Sequence, residues 1–142
     1  MPDPAWTLPA RIAADTFPVG DLPLCRVVLA NDANYPWLML VPRRTGVIEL
    51  MDFNPQDRST LSAEIDAAAR ALKSITECDK INIAAFGNMV PDVHVHVIGR
   101  RHADAAWPKP VWGVVPAIEY EPAVRAGFVT ALRQALGIVN EM

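Results

Sequence analysis

Apolar and polar side chains alternate through much of the chain, and prolines and turn residues cut the alternation into short segments. Leu24 to Leu29 and Trp37 to Val41 read as two strands around the turn cluster Asn31-Asp32-Ala33-Asn34-Tyr35-Pro36, an antiparallel hairpin stopped by Pro42. From Asn54 the period lengthens. Leu61, Ile65, Ala68, Leu72 and Ile75 recur at three- and four-residue spacing. Before them, Asn54 suits an N-cap, Pro55 the first helical position, and Asp57 the positive end of the helix dipole. The pattern predicts a helix over 55–76 whose Ala-rich stripe packs on the sheet. Lys80 to Ala85 and Val93 to Ile98 follow as a third and a fourth strand, and Val124, Phe128, Ala131, Leu132 and Ala135 form a second helical stripe. Strands paired by short turns, with a helix inserted before the last two, predict an α+β fold with an antiparallel sheet.

The last of these strands carries the chemistry. Residues 92–101 read Asp92-Val93-His94-Val95-His96-Val97-Ile98-Gly99-Arg100-Arg101. Side chains on a strand alternate faces, so Asp92, His94 and His96 are expected on one face and Val93, Val95 and Val97 on the other. Successive same-face positions lie about 6.6 Å apart, roughly the span of one phosphate and its hydrogen bonds. Ionisable residues gathered on one strand face point to a site.

Composition narrows what that site can serve. The chain has 142 residues, a length that fits one domain, and no repeat, low-complexity tract or Gly/Ser linker divides it, so 1–142 is expected to be one domain. A net charge of −3 and a pI near 5.5 argue against a broad nucleic-acid-binding face. They leave room for a small anionic substrate. Cys25 and Cys78 form neither a disulfide framework nor a metal-ligand pair, and no secretory leader or spanning apolar run is present. A cytoplasmic location with no membrane association is therefore expected.

The segment Val90-Pro91-Asp92-Val93-His94-Val95-His96-Val97-Ile98-Gly99-Arg100 resembles the signature of the histidine triad (HIT) family of nucleotide hydrolases and transferases. The strand ending Leu40-Val41-Pro42-Arg43-Arg44 resembles the family's earlier strand, and Trp107-Pro108-Lys109-Pro110-Val111-Trp112-Gly113 is similar to a tail found in a bacterial branch. The resemblance covers about 24–101, taken as the core, with 102–142 as a C-terminal extension. It implies a HIT-like fold: an antiparallel sheet of about five strands packed with a long central helix and a C-terminal helix.

Alignment on the Gly-Arg pair implies a branch with Asp92 in place of the first triad histidine, His94 as the nucleophile and His96 as donor to a phosphate oxygen or leaving group. The reaction implied is cleavage of a nucleoside phosphate derivative, such as a dinucleoside polyphosphate or a nucleoside phosphoramidate, through a covalent nucleotidyl-histidine. A neutral imidazole is a competent nucleophile near pH 7, which supports this independently. Asp92 is expected to accept a hydrogen bond beside a histidine. By the same resemblance Asn88 contacts the phosphate bridge, and Asn31 and Asp32 the ribose hydroxyls. Arg100 supplies positive charge to the phosphates or else solvates the strand end, and in a dimer Trp112 is expected near the other chain's His94, shaping the nucleotide pocket as a substrate contact. Trp37 is expected in the core and His102 in solvent. The partner implied is a small-molecule nucleotide, with no metal or other cofactor. A homodimer is implied too, with the Ala-rich helix permitting close approach and Trp107 and Trp112 as aromatic anchors. Two other readings stay open: a nucleotide-binding module without turnover, and a metal site in which Asp92, His94 and His96 form a 2-His-1-carboxylate set.

Overall fold

The computed structural model describes residues 2–138; the outermost residues of the expected 1–142 domain lie outside that range. Five antiparallel strands form one sheet. They are β1 (Thr16–Asp21), β2 (Cys25–Ala30), β3 (Trp37–Pro42), β4 (Lys80–Ala84) and β5 (Val95–Arg100), in the spatial order β1-β2-β3-β5-β4. The helices are α1 (Ala10–Ala14), α2 (Pro55–Thr76) and α3 (Pro122–Leu136), with a 3-10 turn at Leu50–Asp52. This is the expected α+β architecture.

α2 begins and ends at the residues its sequence marks. Asn54 Oδ1 accepts from the Asp57 amide at 2.8 Å, and Pro55 occupies the first turn, where its missing N–H costs nothing. Buried Glu64 fastens this helix to the sheet, its two carboxylate oxygens accepting from the Leu24 and Cys25 amides at 2.9 and 2.8 Å. Satisfying both oxygens is what makes a buried carboxylate tolerable there.

The two faces of the sheet are covered differently. Val27, Leu29, Leu38, Leu40, Val95 and Val97 point towards α2 and α3 and form the main core with Leu61, Leu72 and Leu132. On the opposite face, Val28, Val41 and Met39 pack on Ile12, Trp6 and Leu8 from the N-terminal segment. Ile98 on that face packs with Tyr35, Ala106 and Val111. Between these two smaller covers the sheet is left open, and the histidines lie there.

Two elements escape the periodicity. β1 carries Pro18 and Gly20, and its register against β2 shifts between them, so the edge strand shows no clean alternation. α1 has five residues, too few for a helical stripe.

β5 also starts later than expected, at Val95, because Val93 donates to the Val47 carbonyl at 3.1 Å instead of joining the ladder. Asp92 accordingly lies in a bend before the strand. Gly99 suits a crowded position: an added Cβ would come within 2.8 Å of Pro36 Cγ and 3.2 Å of Cys78 Sγ.

Candidate active site

The antiparallel register sets the floor of the site. His96 stands opposite Met39 on β3 and Ala84 on β4, while Val95 and Val97 on either side of it enter the core. A cavity of about 990 Å³ opens above this face, and His94, His96, Asn88, Asn31, Asp32 and Trp112 all line it. Trp37, Met39, Ile12 and Phe86 supply apolar wall. Gly87, at φ 73°, turns the chain between Phe86 and Asn88 so that both face the cavity, a left-handed conformation that glycine adopts without strain.

Each histidine has one ring nitrogen engaged, and the partner settles where the proton sits. His94 Nδ1 lies 2.8 Å from the Asp92 backbone carbonyl, which can only accept, so Nδ1 carries the hydrogen. In the neutral ring Nε2 then keeps its lone pair. His96 Nδ1 accepts from the Trp37 indole N–H at 3.0 Å, which can only donate, so the His96 proton sits on Nε2. Burial, and then the neighbouring His94 ring, push His96 down from its ordinary 6.5 to about 4, and it is neutral near pH 7. The two rings, 5.1 Å apart between centroids, thus combine a lone pair on one with an N–H donor on the other.

The far wall is a strap from the C-terminal segment, residues 110–119. The Ala33 amide donates to the Ile118 carbonyl at 2.6 Å and Asn34 Nδ2 to the Pro116 carbonyl at 3.0 Å. Asn31 Oδ1 accepts from the Tyr120 amide at 3.3 Å, and Asp32 Oδ1 from the Asn34 amide at 2.9 Å. Asp32 Oδ2 takes no hydrogen bond among the described residues. The strap sets Trp112 edge-on to His96 (5.0 Å), Trp37 (5.4 Å) and Phe86 (4.7 Å) of the same chain.

Two expected site residues are placed elsewhere. Arg100 is 1% exposed, and its guanidinium bonds Asp104 at 2.8 and 3.0 Å and Asn82 at 2.8 Å, so it braces the end of β5 and does not reach the cavity. Asp92 offers His94 its backbone carbonyl, and its side chain does not line the cavity. Trp107 packs beside Arg100 and the exposed His102. Arg11 is the one Lys or Arg lining the cavity among the described residues.

The described residues contain no group of three or more His, Cys, Asp or Glu placed to hold a metal ion, which removes the support for the 2-His-1-carboxylate reading. Trp37 was missed as a site residue, because Trp37 and Met39 alternate with the core residues Leu38 and Leu40 and only the β3–β5 register places them beside His96.

Comparison with known proteins identifies the family. Residues 11–103 match the HIT domain family. Among solved structures, a histidine triad protein from Bradyrhizobium japonicum is 50% identical with a TM-score of 0.92, over 94% of this chain and 99% of that one. A HIT protein from Sinorhizobium meliloti 1021 is 40% identical (TM-score 0.90; 92% and 97% covered), and a histidine triad protein from Marinobacter aquaeolei VT8 is 38% identical (TM-score 0.90; 95% and 98% covered). No curated protein matches.

These findings correct one expectation, the branch with Asp92 in place of a triad histidine: His94, His96 and His102 are intact histidines, and no Asp-substituted triad is supported. Asp92 precedes the strand that would have carried it into the site, and it meets His94 through main chain alone. With a family match over more than half its length and relatives of this similarity along nearly all of it, the chain belongs to the HIT domain, or histidine triad, family.

Proposed function

We propose that this protein is a nucleotide hydrolase or nucleotidyl transferase that cleaves nucleoside phosphate derivatives through a covalent intermediate on His94. The complementary proton placement on the two histidines carries this reading. His94 Nε2 attacks the α-phosphorus, the bond from phosphorus to the leaving group breaks, and the nucleotidyl group is held on nitrogen until water or another acceptor displaces it. The Asp92 carbonyl keeps the proton on Nδ1, which orients the ring and steadies the positive charge it gains. His96 Nε2–H is the donor for a phosphoryl oxygen, where negative charge develops. Asn88 adds an amide from the loop.

The remainder of the cavity fits a nucleoside. Asp32 Oδ2 and the Asn31 side-chain Nδ2 are acceptor and donor for ribose hydroxyls, and Trp112, Phe86 and Trp37 give aromatic surface for a base. With Arg11 the one Lys or Arg among the described lining residues, the phosphate is held by N–H donors more than by ion pairs. A two-fold dimer belongs to the same reading. Its support is the exposed edge strand β4, with Ile83 54% exposed, because Trp112 and the buried face of α2 are already used within the chain.

Incubation with a nucleoside phosphoramidate and with a dinucleoside polyphosphate tests the proposal. Nucleoside monophosphate should be released from at least one, and His94→Ala should reduce the rate on the order of 10³-fold or more. Binding without release by the wild-type chain would favour a nucleotide-binding module.

A further inference from the structure

We infer that Trp37 is a positioning residue which confines His96 to hydrogen-bond donation, so that the site selects substrates whose leaving group departs as an anion. This rests on the nucleotidyl-transfer reading and extends it to the class of leaving group. To hand over a proton completely, an imidazole needs a second one on its other nitrogen; otherwise it becomes imidazolate, far outside the range of a histidine in water. The other nitrogen of His96 is Nδ1, and the Trp37 indole N–H occupies it at 3.0 Å. Indole nitrogen is a donor only, so a proton on Nδ1 would oppose it hydrogen to hydrogen.

The surroundings hold this pair in place. Trp37 is fixed edge-on by Tyr35 at 6.5 Å and by Trp112 at 5.4 Å between ring centroids, and His96 is 6% exposed. The titratable side chain whose ring meets His96 is His94, whose Nδ1 proton is held by the Asp92 carbonyl. No carboxylic acid is placed by any described hydrogen bond to relay a proton to His96.

The balanced step follows. The bond from His94 Nε2 to phosphorus forms, the bond from phosphorus to the leaving oxygen breaks, and the electron pair departs on that oxygen with no proton from His96. In the second step water displaces His94 from phosphorus and the water proton passes to solvent. Phosphates, carboxylates and acidic phenols leave readily as anions, whereas alkoxides and amide anions do not.

A series of nucleoside 5′-phosphate aryl esters, sharing one nucleoside and differing in the acidity of the phenol, tests this together with nitrogen-15 NMR of the histidine rings. The wild-type chain should show His96 as the Nε2–H tautomer near neutral pH, and kcat/KM should rise steeply with phenol acidity. Trp37→Phe should admit a proton at Nδ1 and shrink the spread of kcat/KM across the series by about tenfold or more, with the weakest leaving groups gaining most. An Nδ1–H tautomer or an imidazolium at His96 in the wild-type chain would overturn the inference without any variant, as would an equal spread in both proteins. Failure of the wild-type chain to cleave any ester would overturn the transfer reading itself, and the NMR result would still decide the Trp37–His96 bond separately.

Discussion

His94 and His96 are chemically alike in sequence and are made different by one hydrogen bond each, a carbonyl oxygen at one ring and an indole N–H at the other. This division of roles has consequences at single residues. Because Asp92 serves His94 through its main chain, Asp92→Asn should leave kcat/KM within about twofold of wild type, far from the 10²–10⁴-fold expected for loss of an acid–base group. A steady-state comparison checks this, and a large loss would return a role to the carboxylate. His96 also couples the site to stability. Its folded pKa of about 4 lies below its ordinary 6.5, so between these values the unfolded chain binds more protons. The stability it contributes is fully present above 6.5 and is lost as pH falls towards and through about 4. Thermal melts across that interval should show a falling midpoint, and the non-titrating His96→Gln should weaken that part of the slope.

At the scale of elements, what could be read from sequence separates by the range of the interaction. α2 spans Pro55–Thr76, the range its periodicity predicts, because an N-cap, a first-turn proline and an apolar stripe are all local signals. β2 to β5 were legible for the same reason, apart from their ends. β1 was not, since its proline and glycine hide its alternation, and neither was the role of Trp37, which follows from a register between strands almost sixty positions apart. Arg100 followed the motif in sequence and was expected at the phosphates, but Asp104, one loop turn later, captures its guanidinium.

The strap is likewise non-local, and Asp32 is its test. Asp32 Oδ1 holds the turn amide of Asn34 and lies 3.4 Å from the Ile118 amide, while Oδ2 faces no described donor. Asp32→Asn keeps an acceptor and removes the charge; it should raise KM by about tenfold, the worth of one hydrogen bond to a charged group, with the strap in place. Asp32→Ala should in addition speed hydrogen exchange at the Ile118 amide. Equal exchange in the two variants would separate the strap from Asp32.

On the scale of the whole molecule, α2 and α3 cover one face of the sheet, while the N-terminal segment with α1 and the segment following β5 cover the other, so the cavity forms where those two smaller covers fail to meet. Composition and charge leave room for a small ligand; its seat depends on how the segments before β1 and after β5 return to the sheet, which no local pattern encodes. The exposed β4 edge gives the dimer proposal a concrete test. Light scattering at micromolar concentration should report twice the 15.5 kDa chain mass, and Ile83→Lys should return the chain mass, as expected for a charge placed on a pairing edge. A wild-type mass of 15.5 kDa would exclude the dimer under those conditions.

The covalent intermediate is the central claim, and intact-mass measurement during turnover tests it most directly. A phosphorus–nitrogen bond to histidine survives in alkali and breaks in acid, so the reaction is stopped with base and the protein is weighed and digested at high pH. The account predicts one added nucleotidyl group per chain, the mass of a nucleoside monophosphate less one water, located on the peptide that contains His94, removed by acid and absent from His94→Ala. Turnover that proceeds with no adduct under alkaline quench, or an adduct that persists in His94→Ala, would contradict it.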